Sequence, residues 1–333
     1  SKKNINYNDV KKKILKITSQ RLYKKDNFNI EDLALLDTIV SNINSEQIKK
    51  SDKIFSLKDN SVAELNTYDN ADDIVKYLIH RYKYEIFPIL KKLDKFPPLV
   101  QIEPSSVCNF RCVFCFETDK SFTAKKNGFM GEMKLNLFKS IIDKIEGKVE
   151  FLTLASRGEP LVNSNFNKMI EYTANKFLNL KINTNASLLS ESKSHSILKS
   201  GVKTIVFSAD AADSEEYKKM RVNGNLEKTL QNIKMFLKIK NIQYKKNNII
   251  TRVSGVKFSE NQDFDKMVNF WGDLVDQVAF VEYNPWENSY EKEANDIVTP
   301  CSDLWRRMFI WWDGKINPCD VDYKSKLEID NFN

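Results

Sequence analysis

Apolar residues recur at intervals of three and four along the first hundred positions. Val10, Ile14, Leu15 and Ile17 form one run, and Ile30, Leu33, Leu36, Ile39 and Val40 a second. Ile74, Tyr77, Leu78, Tyr82, Ile86 and Leu90 form a third. This spacing predicts amphipathic helices, with Asn and Lys crowding the joints between them. Pro97-Pro98 marks the end of the region, because proline cannot continue a helix. After it the pattern changes. Short apolar runs at 99–104, 149–155, 178–183, 202–208, 248–254 and 275–283 read as strands. Amphipathic stretches at 134–145, 166–177, 190–199, 226–240 and 263–271 read as helices. Strand alternating with helix predicts an α/β fold, a parallel sheet with helices outside it. The unit length suits a partial (β/α)6 barrel, whose active site would lie at the C-terminal ends of the strands. The expected organisation is a helical region at 1–98, a barrel core at 99–284 and an extension at 285–333 built on a short β-hairpin.

Composition narrows the class. The chain has 333 residues, 41% of them hydrophobic, enough for a sizeable core. No apolar run approaches the length of a membrane span, so no membrane insertion is expected. The first residues, Ser-Lys-Lys-Asn-Ile, carry no apolar signal-peptide core. A reducing, cytoplasmic setting is the expectation. The missing initiator Met points to processing, a cleaved tag or an absent N-terminal stretch. The net charge of +7 comes from 52 basic and 45 acidic residues that alternate along the chain. That reads as a solvated surface and not as a nucleic-acid patch, although a basic face would suit a phosphorylated or nucleotide-linked substrate.

The chemistry concentrates at Cys108, Cys112 and Cys115, three of only five cysteines, spaced CxxxCxxC directly after the first strand. Asn109, Arg111, Glu117, Thr118 and Asp119 make the segment too polar for a core, so these are not merely buried apolar thiols. A zinc site would be expected to show paired CxxC motifs or nearby histidines, and the chain's two histidines, His80 and His195, are not so placed. Thiolates bind iron–sulfur clusters, and three of them leave one iron of a [4Fe–4S] cluster open.

This spacing, with Phe114 just before the third cysteine, resembles the signature of the radical SAM enzymes. In that family the open iron binds the amino and carboxylate groups of S-adenosylmethionine (SAM). One electron, from a flavodoxin- or ferredoxin-type donor, then cleaves SAM to a 5′-deoxyadenosyl radical. The resemblance extends to later strand ends. Ser156, Arg157, Gly158, Glu159 and Pro160 follow the second strand and resemble the family's Gly-Gly-Glu-Pro element, which holds the SAM amino group, with Arg157 in place of the first glycine. Asn183 and Asn185 stand where the family has Thr-Asn-Gly, and Ala186 departs from it. Ser208 and Asp210 resemble a Ser-x-Asp element, which implies ribose or substrate contacts. Arg221 matches the arginine that grips the SAM carboxylate, as a planar guanidinium can do bidentately. Val253 and Val256 are expected near the adenine, with Phe114 packing on it. Arg252 is an unexpected charge within an apolar strand, and a cavity-facing role toward an anionic substrate would explain it.

Cys301, Gly314 and Cys319 match the start of the SPASM/twitch extension of many radical SAM enzymes, with an Asp313-Gly314 hairpin turn between the cysteines. The resemblance implies an auxiliary [4Fe–4S] cluster. Two cysteines cannot hold it alone, so a truncated C-terminal part is expected, and a Cys301–Cys319 disulfide is the competing reading. The expected activity is oxidation or epimerisation of a sugar or nucleotide-linked sugar, with Asp210 and Glu282 as proton acceptors. A ribosomal-peptide or protein substrate is the alternative, weakened because residues 1–96 lack the strands of a leader-binding module. A non-catalytic iron–sulfur electron carrier is the alternative of another class.

Overall fold

The strand-like runs pair into one sheet, and strand periodicity decides what each of its faces carries. In this computed structural model, residues 6–45, 53–287, 289–290 and 299–332 are described. The chain begins with four helices: α1 (Tyr7–Ser19), α2 (Ile30–Asn44), α3 (Asp59–Leu65) and α4 (Ala71–Leu90). Strand β1 (Leu99–Ile102) follows, then β2 (Arg111–Cys112) in the cysteine loop, α5 (Lys120–Thr123) and α6 (Leu135–Ile145). Next come β3 (Phe151–Leu154), α7 (Phe166–Tyr172), β4 (Asn179–Thr184), α8 (Glu191–Lys199), β5 (Thr204–Ser208), α9 (Ser214–Met220) and β6 (Arg221–Val222). The core closes with α10 (Leu226–Gln243), β7 (Ile250–Lys257), α11 (Phe264–Gly272) and β8 (Gln277–Glu282). The extension holds α12 (Asp303–Arg306), β9 (Arg307–Ile310), β10 (Lys315–Asn317) and β11 (Asp330–Asn331).

The strands β1, β3, β4, β5, β7 and β8 run parallel in that order, which is the expected six-stranded α/β core. The sheet is open, ending at β8 on one side and β11 on the other. Its strands wrap around a cavity lined jointly by β1, β3, β4, β5, β7 and β9, which makes it a partial barrel. The predicted helix at 166–177 ends early, at Tyr172, and Asn175 shortly after it takes a left-handed φ of 61°. Helices α3 and α9 lie where no helix is expected from the apolar spacing.

Alternation along the strands separates a dry face from a polar one. Leu152, Leu154, Leu180, Ile182, Ile205 and Val253 point outward into one core with Phe138, Ile141, Phe236 and Trp271 of the covering helices. Inward on β4 and β7 are Asn179, Lys181 and Asn183, and Arg252, Ser254 and Val256.

Neither change in secondary structure, at residue 98 or at 285, is a break in packing. The N-terminal helices form a core that also takes in Phe151 and Leu178 of the barrel. Helix α4 closes the N-terminal end of the strands, its His80 ring lying parallel to Phe151 with centroids 3.3 Å apart. Strand β9 joins the main sheet, parallel to β1, and the β9–β10 hairpin turns at Gly314, whose φ of 86° suits the Asp-Gly sequence. Residues 288, 291–298 and 333 of the expected extension lie outside those described. Among the described residues no helix is long and apolar enough to cross a membrane.

Burial holds the His80 side chain well below its ordinary value of 6.5, and the neighbouring Arg81 and Lys83 add to this. The unfolded chain therefore takes up a proton near pH 6.5 that the folded chain refuses, so stability falls as pH drops below that value, by about 1.4 kcal/mol per pH unit. Urea unfolding at pH 7.5 and 5.5 is expected to show this loss in the wild type and a smaller one in His80→Phe. An equal loss in both would remove His80 as its source.

Candidate active site

The site is built at the C-terminal ends of the strands, around the loop that leaves β1. Cys112 is buried and Cys108 and Cys115 are half-buried. The loop is shaped by its own bonds, Phe110 N–H to Cys108 Sγ at 3.4 Å and Cys115 N–H to the Cys112 carbonyl at 3.0 Å. It is held from below by a two-stranded ribbon, β2 against β6, which places Cys112 opposite Arg221. The Arg221 Nη1 stands 3.8 Å from Cys112 Sγ, and its guanidinium lies over the Phe114 ring. Burial raises all three thiols, Cys115 to about 12. Bare thiolates would be poorly tolerated here, and a cationic cluster is what would stabilise them. Among the described residues no group of three His, Cys, Asp or Glu is spaced for a single ion. A cubane cluster takes each thiolate at a different iron, so three cysteines carried on one loop suit the three held corners of such a cluster.

The turn after β3 is pressed against this loop. A Cβ on Gly158 would meet the Ser106 carbonyl carbon at 2.5 Å and the Ser105 oxygen at 2.6 Å, so the close approach requires glycine. Glu159 N–H bonds the Val107 carbonyl at 3.1 Å, one residue before Cys108. Its carboxylate accepts from Thr184 Oγ1 at 2.6 Å, from Asn185 N–H at 2.7 Å and from Leu161 N–H at 3.1 Å. Burial raises Glu159, and the bonds from Asn185, Thr184 and Leu161 oppose that. Asn185 Nδ2 in turn donates to Asn109 Oδ1 in the cysteine loop at 3.0 Å. Three strand ends are thus tied to the cysteines. Ser156 Oγ and Asn183 Oδ1 are buried there without a protein partner, as expected where a polar ligand completes a site. Ser208 ends β5, level with Ser254 of β7, and Pro160 starts the short turn of helix at Pro160–Val162.

Four expectations change. The Arg157 side chain is turned away from the cysteines. It forms a bidentate pair with Glu103 at 2.6 and 2.8 Å and donates to the Tyr323 carbonyl at 2.7 Å, leaving only its backbone near the site. Asp210 is 0% exposed. It accepts from Val256 N–H at 2.6 Å and meets Arg221 Nε at 2.6 Å, so it is closed to substrate and positions Arg221. Glu282 is exposed, pairs with Lys257 at 2.7 Å and lies on the outermost strand β8. Val253 faces the helix-side core, while Val256 lies on the inner face, because residues three apart in a strand point to opposite sides.

Other residues of the site carry weaker sequence signals. Glu103 supports the whole β1–β3 junction, and its signal is a charge at the end of an apolar strand. Glu117 is buried beside the cysteines, pushed up to about 8 by burial with Arg111 opposing. Trp286 donates to the Phe114 carbonyl at 3.1 Å, and Phe114, Phe258 and Tyr283 form a chain of ring contacts beside it. Phe116 stacks on Tyr323 at 4.8 Å, so the extension covers the cysteine loop. Cys319 and Cys301 are free thiols, not a disulfide. Cys319 is raised by burial, and the charges of Asp320 and Cys301 add to this.

Gly158→Ala is expected to cost about 1–3 kcal/mol of stability, the range for inserting a methyl group into a packed contact. It should also lower the iron bound per chain after reconstitution, because the shift falls on the residues before Cys108. Wild-type iron content in this variant would contradict the close-packing account.

The family model described as the radical SAM superfamily matches residues 102–270. Among relatives, the GTP 3′,8-cyclase of Clostridium acetobutylicum is 24% identical over 188 residues, 56% of this chain and 56% of that protein. The AdoMet-dependent heme synthase of Methanosarcina barkeri is 27% identical over 143 residues, 43% of this chain and 40% of that protein. The chain thus spans about half the length of these relatives. Streptococcus suis SuiB bound to its precursor peptide SuiA has a similar fold, with TM-score 0.56 and 16% identity over 90% of this chain and 74% of that one. So does anSMEcpe with bound AdoMet, with TM-score 0.52 and 15% identity over 71% of this chain and 78% of that one. With three converging cysteines, a glycine-tight turn after β3 and a family match across just over half its length, the chain belongs to the radical SAM superfamily, whose cofactors are a [4Fe–4S] cluster and S-adenosylmethionine.

Proposed function

We propose that the chain oxidises or epimerises a sugar or nucleotide-linked sugar by hydrogen-atom abstraction. The observation that carries this reading is the polar inner face beneath the cysteine loop, where Gln101, Thr153, Lys181, Asn183 and Arg252 line the cavity. A lumen of this kind offers a hydroxyl-rich or charged molecule hydrogen-bonding partners that an apolar substrate could not use. When bound, the cluster and SAM supply the 5′-deoxyadenosyl radical that takes a hydrogen atom. Cys108, Cys112 and Cys115 would hold the cluster. Gly158, Glu159 and the Ser156 hydroxyl would form the cradle for the amino end of SAM, with Asn183, Asn185, Ser208 and Val256 further along the strand ends. Arg221, oriented by Asp210, would take the carboxylate. Phe114, Phe258, Tyr283 and Trp286 would keep water from the reacting carbon. A flavodoxin- or ferredoxin-type donor would supply the electron, and Cys301 and Cys319 would begin a second cluster site. Peptide modification is the second reading. Its support is the SuiB fold likeness, which spans the N-terminal helices as well as the barrel.

Anaerobic incubation of reconstituted protein with SAM and dithionite should yield 5′-deoxyadenosine. Cys112→Ala should abolish it. Asp210→Asn should raise the KM for SAM more than it lowers kcat, because Asp210 acts through Arg221. Deuterium carried into 5′-deoxyadenosine from labelled nucleotide sugars, and not from peptides, would support the first reading. Transfer from peptides alone would replace it with the second.

A further inference from the structure

The floor of the barrel gathers cations from separate elements and leaves one of them unpaired. A cavity of about 150 Å³ lies between the inner face of the sheet and α4, and its wall includes Lys181 of β4, Arg252 of β7, Arg307 of β9 and Arg81 of α4. The counter-charges are few. Arg81 pairs with Glu85, and its Nε remains buried without a partner. Arg307 meets Asp303 at 3.4 Å and donates to the Tyr84 hydroxyl at 2.6 and 2.9 Å. Glu64 of α3, the carboxylate on the wall, accepts from the Tyr77 hydroxyl at 2.7 Å. Arg252 directs Nε and Nη2 to one neutral acceptor, Gln277 Oε1, at 2.8 and 2.5 Å. The Lys181 ammonium has no hydrogen bond or ion pair among the described residues. Burial and the charge of Arg252 lower it to about 8, with Arg307 adding to this and Glu64 opposing. His80 and Tyr84 are the other titratable groups of α4 on the wall; burial holds His80 well below its ordinary value, and the Tyr84 hydroxyl accepts from Arg307.

Like charges enclosed together are costly unless an anion joins them. Surface lysines avoid this by extending into water, whereas Lys181 sits inside the barrel, where period-two alternation puts it between Asn179 and Asn183. We propose that this cavity is an anion-binding site for a phosphate or carboxylate group of the substrate, with Lys181 and Arg252 as its principal ligands. Among the described residues, Arg252 Nη1 and the lysine ammonium are the donors of these two side chains not already used. Lys181 stands four residues before Asn185, and at about 3.3 Å per residue the floor lies roughly 13 Å from the strand ends where Glu159 and the cysteine loop meet. A substrate held by its charge at the floor and reacting at the mouth is therefore elongated, with an anionic group at one end. The role as substrate anchor rests on the radical reading, whereas the affinity for anions does not.

The test is calorimetric titration of the full chain, without SAM, with inorganic phosphate and separately with acetate. Saturable binding of at least one is expected. Lys181→Gln should weaken it at least tenfold, and Lys181→Arg should restore most of it. Affinity should fall as pH rises through about 8, where Lys181 loses its proton. Phosphate bound over acetate assigns a phosphorylated substrate, and the reverse a carboxylate. Without anion, Lys181→Gln should melt no lower than the wild type, because it removes an unpaired charge. Should that variant not fold, Arg252→Gln serves in its place. No saturable binding by the wild type, or equal affinity in these variants, would overturn the proposal. Formation of 5′-deoxyadenosine is scored separately, so a chain that binds phosphate but cleaves no SAM would fail the enzymatic reading and keep the site.

Discussion

Glu103 at the end of β1 and Arg157 after β3 meet as a bidentate ion pair, with side chains only 0% and 2% exposed. Much of the site depends on this contact. The same carboxylate also accepts from the Arg157 and Trp312 backbone N–H groups, and the same guanidinium lies 4.3 Å over Trp311 and reaches the Tyr323 carbonyl. One buried pair therefore joins the first strand, the turn that carries Gly158 and Glu159, and the C-terminal hairpin. Two charges removed from water are stable only with their partners in place, so the three segments are fixed together.

The remaining geometry follows from that anchoring. With the β3 turn held, Gly158 packs against residues 105–107 and Glu159 reaches across to Thr184 and Asn185, so the cysteine loop inherits its position from three strand ends. Arg221 arrives from the other side on its short ribbon and is aimed by Asp210. The mouth is thus rigid and closely bonded, while the floor holds unused cationic donors. On the proposed function, this division would set the cofactor at the bonded mouth and the substrate's charge at the floor.

The alternation of apolar runs made the parallel core legible in the sequence, because period and run length are local properties. The cysteine loop and Gly158-Glu159-Pro160 could be placed after the first and second core strands for the same reason, and they lie there. Pairings distant along the chain were not legible. No local pattern marks β9 as a parallel partner of β1, nor Asp210 as the counter-charge of Arg221 eleven residues later. Val253 and Val256 failed as a pair on a point that the sequence alone contains, since an odd spacing puts two strand residues on opposite faces. Glu103 carried the same signal as Arg252, a charge in an apolar strand, and matters more to the architecture.

A double-mutant cycle measures the anchoring directly. Urea unfolding of Glu103→Gln, Arg157→Met and the double variant should show each single change costing about 3–5 kcal/mol, because each strands a buried charge or its donors. The double variant should cost less than their sum by more than about 1 kcal/mol. Single changes that cost little and simply add would contradict the view that this pair holds the site together.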